Sequence, residues 1–395
     1  MSTDISFKHI NKLAIPALIA GIAEPLLSIT DTAIIGNIDE NATESLAAVG
    51  IVGAFISMLV WVFGQIRSAI SSIISQYLGA DKLDEIKSLP AQAIAIVVLG
   101  SVFILLISYP FAKQIFQFYN ASGLVLDHCI TYFKIRIFGF PFSLFVFAIF
   151  GIFRGLQNTF IPMIIAIIGA LLNIILDVLL VYGIEGYIPA MNIEGAAYAS
   201  LIAQITMALI AFVLLLKKTK FSLKISLPFH SEVPKLLGMI GNLFIRTLAL
   251  NTALYFATAY ATGYGKQYIA AYTIGINIWL LGAFMIDGYS SAGNILSGKL
   301  LGAKNYKNLV VLSKKLTIYG LITGLLIMSI GFLFYNSIGE IFTKEDLVLK
   351  EFNHVFWIFF LVFPKTFCKI QHIVKSYKML LLGYKNIFVS KYARR

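Results

Sequence analysis

The sequence predicts an all-α, polytopic membrane protein, and three observations carry that prediction. Of its 395 residues 59% are hydrophobic and 13% charged, with a mean hydropathy of +0.86. One soluble core cannot hide that much apolar surface, so the solvent is lipid. Apolar stretches of the ~20 residues needed to cross a bilayer recur from residue 10 to beyond residue 360. Runs such as Ile94 to Ile107 are near-continuously apolar rather than alternating, so the backbone is satisfied by helices and not by a strand barrel.

Taken in order, the expected spans are 10–36, 46–78, 90–112, 131–153, 160–183, 192–216, 234–262, 268–300 and 310–335, with a tenth beginning near 354. The first stretch exceeds a signal-peptide core and shows no small-residue cleavage site, so it is expected to stay. Loops after even-numbered spans carry the bases: Lys82 and Lys87, then Arg154, then Lys217, Lys218, Lys220, Lys224 and Lys235, then Lys299, Lys304, Lys307, Lys314 and Lys315. The other loops hold acids, including Asp39, Glu40, Glu44, Glu185, Glu345 and Glu351. By the positive-inside rule the N-terminus is cytoplasmic. Cys129 and Cys368 are too few and too scattered for a disulfide framework or a thiolate metal site. Of the net charge of +12, eight units lie in the acid-free segment Lys365 to Arg395, leaving +4, ordinary for a membrane protein and no sign of nucleic-acid binding.

An internal repeat organises the chain. Leu46 to Gly50 (LAAVG) returns as Ile269 to Thr273 (IAAYT), 223 residues on, and the same offset carries Leu78-Gly79-Ala80 onto Leu301-Gly302-Ala303 without a gap. Six spans per copy is an even number, so both copies enter from the same side and are related by an axis along the membrane normal, a secondary-transporter architecture. The expected division is a six-helix lobe at 1–216 and an incomplete second lobe at 217–364. Pro141 returns as Pro364, but FSLFVFAIFGIF after the first becomes KTFCKIQHIVKSYK after the second. A frame shift shortly after Pro364 accounts for that change and for the repeat's missing spans; the alternative is a native basic amphipathic tail at 365–395.

Ionisable groups inside spans are functional candidates, each weighed against a structural ion pair. At ~1.5 Å per residue, Glu24 and Arg67 lie roughly 21 and 17 Å from the inner ends of the first two spans. Arg246 and Asp287 lie at roughly 18 and 20 Å in the seventh and eighth, with the signs exchanged. Both couples read as structural pairs. Asp31 and Asp177 differ: each lies five or six residues from the outer end of its span, so the two share a depth in one half of the molecule. Two acids facing one low-dielectric cavity suit reversible proton binding, or jointly hold a sodium ion. Asn173, four residues before Asp177, adds a carbonyl acceptor on the same helix face. Arg136, at similar depth in the fourth span, is placed to neutralise one aspartate.

At these residues the chain resembles the MATE (multidrug and toxin extrusion) family, and its DinF-like branch in particular. The resemblance lies in IPALIAGIAEPLLSITDTAIIG of the first span, LAAVGIVGAFISMLVWVFGQIRSAISSIISQYLGA of the second and NIILD from Asn173 to Asp177. It continues in FIRTLAL from Phe244 and AAYTIGINIWLLGAFMIDG, and covers residues 8–364. It implies two pseudo-symmetric six-helix bundles, the second incomplete here, that export amphipathic or cationic compounds in exchange for protons or sodium. Carried over, Asp31 and Asp177 are the coupling carboxylates, Asn173 a ligand beside them and Pro16 the bending point of the first helix. Ser200 is either a hydroxyl ligand or a helix-packing serine. The resemblance further implies a monomer in a bacterial inner membrane, with a small-molecule substrate and no cofactor beyond the coupling ion.

Other classes are weaker. A membrane enzyme finds no His-Glu-x-x-His helix, paired-aspartate loop or nucleotide loop. A lipid-linked substrate flippase of related fold needs a strongly cationic cavity, whereas the arginines within spans are Arg67, Arg136 and Arg246. An inactive transporter remnant is the remaining alternative.

Overall fold

The computed structural model describes residues 4–38, 41–221, 223–225, 227–342 and 346–367. Each expected span is a helix or a broken pair of helices. The helices of the first half are α1 (Phe7–Ile35), α2 (Ala42–Phe63), α3 (Ile66–Gly79), α4 (Leu89–Ser108), α5 (Ala112–Phe118), α6 (Gly123–Arg136), α7 (Gly139–Gly155), α8 (Phe160–Val181) and α9 (Asn192–Lys218). Those of the second are α10 (Val233–Tyr264), α11 (Lys266–Gly302), α12 (Tyr306–Leu333), α13 (Tyr335–Phe342) and α14 (Asp346–Phe367). Among the described residues seven helices are long and apolar enough to cross a membrane, or eight if the bent pair α6–α7 is one span.

The repeat is visible in the backbone. The offset of 223 carries the last residue of α3, Gly79, onto the last of α11, Gly302; the first of α5, Ala112, onto the first of α13, Tyr335; and the first of α6, Gly123, onto the first of α14, Asp346. Even the helix ends match. Asp81 and Lys304 both take left-handed φ, at 58° and 54°. Behind them Lys82 N donates to Tyr77 O and Asn305 N to Leu300 O, each at 2.9 Å. That six-to-one bond with a left-handed residue is the Schellman stop, which satisfies carbonyls a helix end leaves open.

Two expected spans are interrupted within their length. The second is broken between α2 and α3 at Gly64 and Gln65, where Arg67 N reaches Gly64 O at 3.3 Å and Ser68 N reaches Gln65 O at 3.0 Å, a tightened turn. The fourth is bent by 45° between α6 and α7. Gly139 and Pro141 lie at the bend; Pro141 lacks an N–H and its ring opposes the carbonyl four residues back, at Ile137, the residue where α6 stops. The short helices α5 and α13 fall in stretches expected as loop or span edge. The shifted-frame reading falls on residues 365–395; α14 runs through Phe367, and residues 368–395 lie outside the described residues.

The chain forms two compact units, Ile19–Asn251 and Met1–Leu18 with Thr252–Arg395, so both boundaries fall inside helices, α1 and α10. In the first unit Phe55, Phe116 and Phe133 meet edge to face at the centre of a core that runs through α2 to α9. In the second, Ile10, Leu13 and Ala14 of α1 pack with Ala292, Ile295 and Leu296 of α11 and Leu312 of α12. A separate cluster there joins Ala271 and Ile274 to Phe352 and Phe356.

Candidate functional site

The site is built on α8. Gly169, Asn173, Asp177 and Val181 recur every fourth residue and are all buried, forming one stripe of the helix. That stripe faces α9, whose buried Gly195, Ala199 and Ala203 keep the same spacing. Small residues at such spacing let two helix backbones approach in lipid, where no hydrophobic drive brings them together. A Cβ on Gly195 would lie 2.5 Å from Leu180 O, and one on Gly169 would collide with Met207. On the other side Tyr182 Oη donates to Ile34 O at 2.9 Å, tying the end of α8 to the end of α1.

These contacts bring Asp31, Asn173, Asp177 and Ser200 together, all at most 4% exposed. Asn173 Nδ2 donates to Ser200 Oγ at 3.4 Å, and Ser200 Oγ donates to Asp31 Oδ2 at 3.5 Å. Ser200 Oγ thus lies between the α8 amide and the α1 carboxylate, with both contacts long. Asp31 Oδ1 and both Asp177 oxygens are sealed from solvent with no hydrogen-bond donor among the described residues. Buried carboxyl oxygens in that state call for a proton or a cation. Carboxylate, amide and hydroxyl oxygens form an all-oxygen set of the kind that hard cations take.

Arg136, the last residue of α6, places Nη2 3.9 Å from Asp31 Oδ2 and donates from Nε to Tyr132 Oη at 3.4 Å. A cavity of about 120 Å³ opens beside Asp31. Its wall includes Asn173, Ser200, Arg136, Gln204, Phe147 and Met207. A Cβ on Gly139, at the start of α7, would meet the amide end of the Gln204 side chain, which would have to turn aside.

The remaining expected residues are placed as follows. Arg67 lines the same cavity and lies over Phe147, with Cζ 5.3 Å from the ring centroid. The side chain of Glu24, its expected partner, lies outside the described residues. Arg246 and Asp287 are both exposed and belong to different compact units; their pairing stays a proposal. Pro16 sits within a helix that continues through it. Tyr132, Tyr182 and Gln204 were not singled out from the sequence. Polar residues on otherwise apolar helices were the available signal.

Membrane-length helices around a sealed carboxyl cluster define the class, a multi-pass helical membrane protein with a polar interior site. The chain belongs to the MatE family, which it matches over residues 16–179 and 243–378, so the second stretch runs past Pro364 to Lys378. It is 26% identical over 313 residues to the DNA damage-inducible protein F of Escherichia coli K12, covering 78% of this chain and 66% of that one. To the multidrug resistance protein NorM of Vibrio vulnificus it is 26% identical over 351 residues, 86% of this chain and 74% of that one. A crystal structure of MATE in the bent conformation shares its fold with a TM-score of 0.85, at 21% identity over 92% of this chain and 80% of that one. The chain thus spans less than two thirds of the length of the Escherichia coli relative, at 66%.

Proposed function

We propose that the protein is a secondary antiporter that exports amphipathic, including cationic, compounds in exchange for protons or sodium. The observation that carries this reading is the sealed pair Asp31 and Asp177, with three carboxyl oxygens lacking a donor among the described residues. Its ligand set is Asp31, Asp177, Asn173 and Ser200. The pair takes up one cation as a unit, and its burial makes the empty, charged state costly, so filling and emptying biases the lobe between conformations. Pro16 serves as the bending point of α1, since it removes the bond to the carbonyl of Lys12. The basic loops support a cytoplasmic N-terminus in a bacterial inner membrane. Relatives named as multidrug resistance proteins support the substrate class.

The test is flux of a fluorescent lipophilic cation in liposomes carrying the 395-residue chain, driven by a sodium or proton gradient. Asp177→Asn is expected to reduce gradient-driven flux by on the order of tenfold or more at equal reconstitution. Flux equal to the parent would remove Asp177 from the coupling site.

A further inference from the structure

We infer that Arg136 is a tethered counter-charge that shares Asp31 with the coupling cation, so that guanidinium and cation are alternative partners of one carboxylate. This rests on the coupling role of Asp31 and Asp177 proposed above, and names what holds the charge of Asp31 when the cation has left. Charge counting gives the first reason. Two ionised carboxyls and one guanidinium, which cannot lose its proton, sum to −1. One monovalent cation brings that sum to zero, the state a bilayer interior favours. Without Arg136 the pair would stand at −2 and hold its cation too firmly to exchange it.

Geometry gives the second reason. The contact is single and long, at 3.9 Å from Nη2 to Oδ2, beyond the ~2.7–2.9 Å of a tight charged hydrogen bond and far from a two-pronged clamp. Among the described residues Asp31 Oδ1 meets no donor, so a cation can enter between it and Asp177 before the arginine lets go. Tyr132 Oη holds Arg136 Nε and supplies a resting partner, and the cavity that both Arg136 and Asp31 line gives the guanidinium room to withdraw. The groups that act on Arg136 are Asp31 from α1, Asp177 from α8 and Tyr132 from its own helix; Arg67 is the other cation on the cavity wall.

The interrupted backbone gives the third. Arg136 ends α6 at the 45° bend, where Phe138 N bonds to Ile135 O at 3.3 Å and Phe140 N to Ile137 O at 3.1 Å in tightened turns. A helix interrupted in this way can swivel at the break without giving up its regular bonds.

The experiment measures sodium-dependent thermal stabilisation of the purified 395-residue chain in detergent, with choline chloride holding ionic strength constant. The forms compared are the parent, Arg136→Gln, Arg136→Lys, Asp31→Asn and the double variant Asp31→Asn with Arg136→Gln. The sodium midpoint is expected about tenfold lower in Arg136→Gln, near the parent's in Arg136→Lys, and changed by a smaller factor on removing Arg136 in the Asp31→Asn background than in the parent. A packing role for Arg136 would lower the melting temperature without lowering the sodium midpoint. If Arg136→Gln is too unstable to purify, an Arg136→Met comparison with Arg136→Lys reads the same charge difference. A parent response that needs Asp31, with an unchanged or higher midpoint on removal of the arginine charge, overturns this inference and leaves the coupling reading standing. Absence of any sodium response in every form overturns the inference together with the sodium form of that reading.

Discussion

The two halves of this chain share a scaffold and differ in chemistry. The offset of 223 aligns helix starts, helix ends and the left-handed stops at Asp81 and Lys304, yet the polar site belongs to the first half. Where the first half has Asp31 the second has Leu254, and where it has Arg136 the second has Phe359. The backbone differs at the same places. α6 and α7 are interrupted beside Arg136, while α14 runs on through the corresponding residues. Pro141 and Pro364 are both present, but Gly139 corresponds to Val362, so the interruption accompanies glycine and proline together rather than proline alone. The two copies share caps and spans, while the buried carboxyl cluster at Asp31 and Asp177 lies in the first of them.

That contrast can be broken most severely at the carboxylates. Asp31→Asn is expected to lower gradient-driven flux by about a hundredfold, whereas Leu254→Asn at the matching position leaves it near the parent value. Equal losses from both, in the same liposome assay, would place coupling in both halves. A medium effect tests the packing that holds the site. Gly195→Ala forces a Cβ against Leu180 O and is expected to cost about 1–3 kcal/mol, read as a lower melting temperature in detergent. Gly100→Ala, in the middle of α4 with no atom within 4 Å of the added Cβ, is expected to be neutral or to stabilise by about 0.5–1 kcal/mol. Equal shifts would mean that α8 and α9 do not depend on close approach. The smallest effect belongs to Tyr182→Phe. It removes the bond to Ile34 O and is expected to cost about 0.5–1 kcal/mol, with flux changed less than by either aspartate substitution.

Much of the fold was legible in the residues because lipid imposes a local rule. A backbone that crosses hydrocarbon must satisfy itself within each segment, so length and hydropathy alone place a helix. The ten expected spans accordingly meet helices or helix pairs, and the repeat could be read from LAAVG and IAAYT. Depth, too, is a local quantity, which is why Asp31 and Asp177 could be matched before any packing was known. Breaks were harder: Gly64 and Pro141 were visible, but glycine and proline are tolerated in membrane helices when neighbours re-satisfy the freed groups.

Sequence alone determined which segments are long and apolar enough to cross a membrane and that the chain repeats itself, since each follows from the residues along the chain. Only the tertiary structure decided what those residues face. Rotation of each helix about its axis places Ser200 between Asn173 and Asp31 and puts Arg136 against one oxygen of Asp31. That rotation is set by contacts such as Gly195 on Leu180 and Tyr182 on Ile34. Such contacts join residues 15 and 148 positions apart in the chain, and hydropathy along one span carries no information about the angle at which another span meets it.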